Sequence, residues 1–218
     1  MITWANGLPW QTSGDTLAPN TVPATALGDH ATMNQPPDQI TTERLTLRRW
    51  RDEDRVPFAA LNADPEVMRH YPAPLSKSES DAFVDRIEAS FAERGYGLWV
   101  VDADGTGSCV GYVGLWPAPD ALAVAPAVEI GWRLAATSWG RGYAPEAARA
   151  VLADGFDRLG LDEVVSFTWE DNEASRRVME KLGMTHDPAD DFDHPHLPAG
   201  HRLRSHVLYR LRKSDHGA

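Results

Sequence analysis

Val128-Glu129-Ile130-Gly131-Trp132, and shortly after it Ser138-Trp139-Gly140-Arg141-Gly142-Tyr143-Ala144, form the stretch that decides how this chain is built. The first piece reads as a strand over 127–134. The second is a glycine-rich turn that leads straight into a helix from about Pro145 to Leu159. Proline suits a helical first turn, where its missing N–H is no loss. Ala148, Val151, Leu152, Phe156 and Leu159 give that helix a buried stripe. The first N–H groups of a helix have no partner within it, and the helix dipole adds roughly half a positive charge there. Glycines let the backbone come close to a ligand at positive φ. Strand, turn and helix together make an anion site suited to a pyrophosphate. Taken alone the turn also fits an ordinary strand-to-helix connection, and Arg141 fits either a phosphate contact or a solvated side chain. A dinucleotide fingerprint needs Gly or Ala three residues after the second glycine, where this chain has Pro145. A Gly-Lys-Ser/Thr phosphate loop is absent.

Outward from that stretch the pattern is regular. Arg44-Leu45-Thr46-Leu47-Arg48 alternates as a strand does. Asp52 to Tyr71 reads as one or two short helices, interrupted near Asp64-Pro65. Ser78 with Asp81 resembles a capping box, opening a helix with Phe83, Val84, Ile87 and Phe91 on one face and Gly95 at its end. Strands are expected over Leu98–Asp102 and Ser108–Trp116, joined around Asp104-Gly105, and later over Glu163–Trp169 and His206–Leu211. A helix over Glu173–Leu182 is closed by Gly183. This order argues for an α/β layer structure around one sheet. Residues 1–40 are rich in Thr, Ala, Pro, Gly and Asn without sustained periodicity. They read as a flexible extension before a folded domain over 41–213, with a tail at 214–218. Trp4 and Trp10 fit docking on the body or on a partner.

The net charge is −11, which disfavours nucleic acid and is compatible with a cationic or amine partner. No apolar run approaches the ~20 residues of a membrane helix. No basic region followed by an apolar core marks a secretory signal. Cys109 is the single cysteine, so there is neither an intramolecular disulfide nor a cysteine-based zinc site. These features place the protein in the cytoplasm, away from membranes. His186, Asp187, Asp190, Asp191, Asp193, His194, His196, His201 and His206 crowd one segment. Their spacing matches no metal-ligand pattern and Pro188, Pro195 and Pro198 mark a loop, so no metal is expected.

At this point the chain resembles the GNAT acetyltransferase family. Thr137, Gly140 and Gly142 match its Arg/Gln-x-x-Gly-x-Gly/Ala turn, with Thr137 departing from the usual Arg or Gln. Trp-Gly-Arg-Gly-Tyr-Ala-Pro-Glu-Ala is similar to the branch that includes ribosomal-protein N-terminal acetyltransferases. Thr42–Arg48 resembles the branch's opening strand, Val128–Trp132 its fourth strand, and Asn172-Glu173-Ala174-Ser175 with Lys181-Leu182-Gly183-Met184 its Asn-x-x-Ser helix and ending. The resemblance covers about residues 41–211, with four motifs in order.

The resemblance implies a single mixed α/β domain. Its central, largely antiparallel sheet has about six or seven strands, splayed between the fourth and fifth and flanked by about four helices. It implies acetyl-CoA as donor and an amine as acceptor, either a protein N-terminus or a small molecule. It also implies direct attack in a ternary complex, in a monomer or homodimer. Backbone groups of Ile130, Trp132 and Leu134 would hold the pantetheine arm. N–H groups of Gly140, Arg141, Gly142, Tyr143 and Ala144 would hold the pyrophosphate. Asn172 would bond the pantetheine, act as a helix cap, or do both. Ser175 would stand near the sulfur, or be a first-turn surface serine. Glu129 fits two roles, a base acting directly or through water and a strand residue in a surface ion pair. An α-amine (pKa about 7.7–8.0) is far more often neutral at pH 7 than lysine (about 10.4), so it needs little help. Many relatives carry a Tyr acid seven residues after the Asn. Met179 stands there, which leaves Ser175 or a water as candidates. Asp193 and His194 would border the acceptor. The rival reading is a non-catalytic acyl-CoA-binding module.

Overall fold

The computed structural model describes residues 35–217 except 104 and 106. One nine-stranded sheet runs through it in the order β1-β2-β3-β4-β5-β6-β9-β7, with β8 against β9. The strands are β1 Gln39–Thr41, β2 Leu45–Arg48, β3 Leu98–Ala103, β4 Cys109–Pro117, β5 Val128–Leu134, β6 Glu163–Trp169, β7 Thr185–His186, β8 Phe192–Asp193 and β9 Ser205–Arg212. Four α-helices accompany them: α1 Arg55–Ala63, α2 Lys77–Arg94, α3 Tyr143–Asp157 and α4 Glu173–Lys181. The six strands read from the sequence are β2 to β6 and β9. The three extra strands are two or three residues long, too short to carry a period.

Three expectations shift. The fold begins by Gln39, inside the stretch read as an extension, because residues 39–41 pair with 46–48. The rest of that extension, with Trp4 and Trp10, lies outside the described residues. The helix start falls at Ser76, whose side chain accepts from Glu79 N–H while Glu79 reaches back to Ser76 N–H. The Ser78–Asp81 pair lies two residues further on, and Asp81 instead pairs with Lys77 at 2.5 Å. The tail packs back in part: Lys213, the last domain residue, donates from Nζ to the Phe156 carbonyl at 2.6 Å, and beyond it the His216 ring lies 5.0 Å from that of Phe156.

The sheet has two dissimilar faces. Tyr112 of β4 packs against Phe58 of α1 and Phe83 of α2. Leu115 of β4 faces α3, where a Cβ on Gly155 would come within 3.0 Å of it. Residues 112 and 115 differ in parity, so they mark opposite faces. The register pairs Tyr112 with Arg133, Trp116 with Glu129, and Leu115 with Ile130. Cross-strand partners share a face. Glu129 and Arg133 therefore look toward α1 and α2, and Ile130 toward α3.

All strand pairs are antiparallel but one. β5 meets β6 in parallel through the single register pair Glu129↔Val165, while β6 and β9 stay paired over residues 163–169. The sheet opens beyond residue 129. This is the expected splay between the fourth and fifth sequence-read strands, numbered β5 and β6 because β1 precedes them. At the far side Arg48 and Asp54, both buried, form a two-pronged ion pair at 2.7 and 2.8 Å that fastens β2 to the segment entering α1.

Candidate functional site

A cavity of about 600 Å³ lies in the splay. One wall is the turn Ser138 to Pro145 and another is the first turn of α4 with Asn172 and Ser175. The rest comes from β5 at Trp132, Arg133 and Leu134 and from Val67, Arg69, His70 and Tyr71. Arg69, Arg133, Arg141, Arg177 and Lys181 line it and no Asp or Glu does, although Glu66 pairs with Arg69 and Glu173 with Arg177 from outside the lining. In a chain of net charge −11 this is a local inversion of sign.

The turn has the conformation its glycines suggest. Gly140 and Gly142 sit at φ 73° and 81°, in the left-handed region that side chains disfavour. Gly142 caps α3 at its N-terminus. A brace holds the turn from behind. Arg44 bonds Glu146 through Nε at 2.7 Å and also through Nη2, and its Nη1 donates to the Arg141 carbonyl at 2.9 Å. Thr42 Oγ1 donates to Glu146 Oε1 at 2.6 Å. In a trans peptide the next N–H points opposite the carbonyl. The N–H of Gly142 therefore faces away from Arg44, which lies outside the cavity lining. The free N–H groups at the start of α3 are thereby presented to an anion.

Asn172 and Ser175 come together as expected. Asn172 Oδ1 accepts from Ser175 N–H at 3.3 Å, so the capping role holds. The amide nitrogen donates to Thr168 Oγ1 at 2.9 Å, which leaves one Nδ2 hydrogen for a ligand. Ser175 is buried and lines the cavity, unlike a first-turn surface serine. Met179 is wholly buried in the core.

On β5 the expected contacts divide. Ala135 N–H bonds the Val110 carbonyl of β4, so the backbone groups of residues 130, 132 and 134 point the other way, toward the splay. Two of those carbonyls are already engaged. Ile130 accepts from Ser166 Oγ at 2.9 Å and Leu134 from Trp139 Nε1 at 2.8 Å. Trp132 and Leu134 line the cavity, while Ile130 lies outside it.

Glu129 is not a surface ion pair. It is 1% exposed, and neither carboxylate oxygen has a hydrogen-bond partner among the described residues. Burial holds its carboxyl well above the usual carboxylate range. It stands behind the cavity lining, at the point where β5 and β6 part.

The His/Asp segment divides between surface and core, with Asp193 exposed and His194 buried. Asp193 pairs with Arg204 at 2.9 Å. His194 is fully buried, its ring 5.1 Å from that of His206, and His206 stacks on Phe192. Neither Asp193 nor His194 lines the cavity, because β8 turns the segment back along β9. Among the described residues no three His, Cys, Asp or Glu side chains gather as a metal site requires. Burial pushes the Cys109 thiol up to about 12, so it is no nucleophile at neutral pH.

Sequence reading missed Arg133, Tyr71 and Asn62. Arg133 is buried, bonding Asn62 Oδ1 at 2.5 Å and Tyr71 Oη at 3.1 Å. The available signal was an arginine at the same parity as Glu129 inside an otherwise apolar strand. Tyr71 and Asn62 gave none, since only the packing of α1 on the sheet brings them there.

Among curated proteins, YkkB of Bacillus subtilis is 35% identical over 149 residues, spanning 67% of this chain and 84% of that one. An FsC-acetyl coenzyme A-N(2)-transacetylase of Aspergillus fumigatus is 34% identical over 161 residues, spanning 67% of this chain and 65% of that one. An acetyltransferase structure from Agrobacterium tumefaciens superposes with a TM-score of 0.66 at 29% identity, covering 80% of this chain and 94% of the other. RimJ of Mycobacterium smegmatis, solved with CoA-disulfide, shares the fold at a TM-score of 0.68 and 18% identity, covering 84% and 90%. Residues 44–185 match the acetyltransferase (GNAT) domain, and the chain belongs to that family as an acyltransferase.

Proposed function

We propose that the protein transfers an acetyl group from acetyl-CoA to a primary amine by direct attack in a ternary complex. One observation carries this reading: a cavity with five Arg or Lys residues and no carboxylate runs from the N-terminus of α3 into the splay. The basic residues of the turn and α4, Arg141, Arg177 and Lys181, fit an anionic cofactor, with the pyrophosphate on Gly140 to Ala144 and the arm alongside Trp132. Bound there, acetyl-CoA supplies an activated acetyl thioester.

The chain's own residues do the rest. The turn braced by Arg44 and Glu146 fixes the donor, and most of the rate comes from holding the two reactants together. Backbone N–H groups of β5 on the splay side polarise the thioester oxygen. Glu129 takes the proton from the attacking amine through water, since it lies behind the lining. It acts as a base only once ionised, so with its carboxyl held above the usual range turnover rises with pH. Ser175, on the α4 wall, donates a hydrogen bond to the leaving thiolate or holds the water that does, and solvent supplies the proton that makes the thiol. That demand is small, because a thiol of pKa about 8.5 is a good leaving group.

The test is a panel of small amines and peptides incubated with acetyl-CoA, reading free thiol and acetylated product. Turnover with at least one amine is expected. Tight CoA binding with no thiol release from any amine would favour a binding module and overturn the proposal.

A further inference from the structure

We propose that Arg133 is a carboxylate anchor, so that the amine acetylated here also carries a carboxylate. This deepens the acetyl-transfer reading and rests on it.

Arg133 is 5% exposed, and buried guanidinium groups are rarely left without an anion. Its hydrogen-bond acceptors among the described residues are both neutral, the Asn62 amide oxygen and the Tyr71 phenol. Burial raises the Tyr71 pKa further, so the phenol carries no charge. The guanidinium lies 4.1 Å from the Tyr71 ring centroid and 5.4 Å from that of Tyr112, held flat by aromatic faces. Asn62 is itself fixed by Ser80 Oγ at 2.9 Å. Two of the five N–H groups are used in this way. The others belong to a side chain that lines the cavity. A rigid, desolvated cation with spare paired donors matches a carboxylate, which takes two N–H bonds side by side.

The cofactor does not supply that anion. Its pyrophosphate belongs with the turn at the start of α3, and Arg133 faces α1 and α2 on the other side of the sheet. The arm that crosses the splay carries amides and a hydroxyl but no charge. Glu129 shares Arg133's face of the strand but stands behind the cavity lining, whereas Arg133 is part of it. An acceptor in the cavity would present its carboxylate to Arg133 and pass its amine proton to Glu129 through water.

The experiment separates this from the transfer reading by using products. N-acetylated α-amino acids and ω-amino acids, each with its matching primary amide, are titrated calorimetrically into the CoA-bound full-length protein. At least one acid is expected to bind at least tenfold more tightly than its amide. Arg133→Gln should bring the two to equal affinity. Equal affinity of every acid and its amide for the unmodified protein would overturn the proposal, with no variant needed. So would a preference that survives in folded Arg133→Gln. Failure of thiol release would count against the transfer reading alone, because this binding measurement needs no turnover.

Discussion

Glu129 and Arg133 are buried on one strand face, Arg133 as a partnered cation and Glu129 as a carboxyl without a hydrogen-bond partner among the described residues. For Glu129 the pH dependence of stability follows from its raised pKa. As pH rises past about 4.5, the unfolded chain loses this proton while the folded chain keeps it, so stability falls with pH. Glu129→Gln should therefore raise the thermal midpoint, and by more at pH 8 than at pH 4. The same variant should lower kcat at least tenfold, within the range ascribed to acid–base catalysis. It should also abolish the rise of kcat/KM with pH that ionisation of Glu129 produces. Thermal unfolding and a pH–rate profile check both. An unchanged kcat would end its candidacy as base.

The turn at residues 138–145 is an element in its own right, since it is shaped from outside as much as by its own glycines. Arg44 and Thr42, about a hundred residues earlier, clasp Glu146 and orient the Arg141–Gly142 peptide. Gly142→Asp strains a residue held at φ 81° and pushes a carboxylate into the brace, its Cβ 3.3 Å from Arg44 Nη2, which distorts the N–H groups proposed for the phosphate. We expect the KM for acetyl-CoA to rise at least tenfold in a folded variant, read by initial-rate kinetics. An unchanged KM would move the pyrophosphate elsewhere. The glycine spacing was legible in the sequence, and so was the cap at Asn172, because both are local. The brace was not, because a Thr-x-Arg pair carries no sign of what it will touch. Glu129 was visible as a residue but misread in one of its roles, since burial depends on what α1 and α2 cover.

Across the whole molecule, the buried histidines of the last strands set the acid limit. Desolvation lowers His194 to about 3 and His206 to about 4. Below their ordinary value near 6.5 the unfolded chain takes up protons that the folded chain refuses. Their contribution is intact above pH 6.5 and is lost as pH falls toward 4. Calorimetry at pH 7, 5.5 and 4 should show the midpoint dropping stepwise, and His194→Leu should flatten that slope. A midpoint independent of pH would contradict the burial of these rings in solution. The sequence offered this His/Asp segment as an acceptor border. The structure buries His194 and His206 but leaves Asp193 exposed, and β8 pairing along β9 keeps both Asp193 and His194 out of the cavity lining.

Local pattern by itself determined the family, the order of the main strands and helices, the phosphate-type turn and the helix cap beside it. Those depend on residues within a few positions of one another, where periodicity, glycine and capping chemistry act directly. Tertiary structure alone decided which charges are buried and what they face. The parting of β5 from β6 opens the cavity, Asn62 of α1 and Phe83 of α2 enclose Arg133, and residues far apart in the chain supply the surroundings. The turn could be read in the sequence, but the site around it exists only once the sheet has splayed.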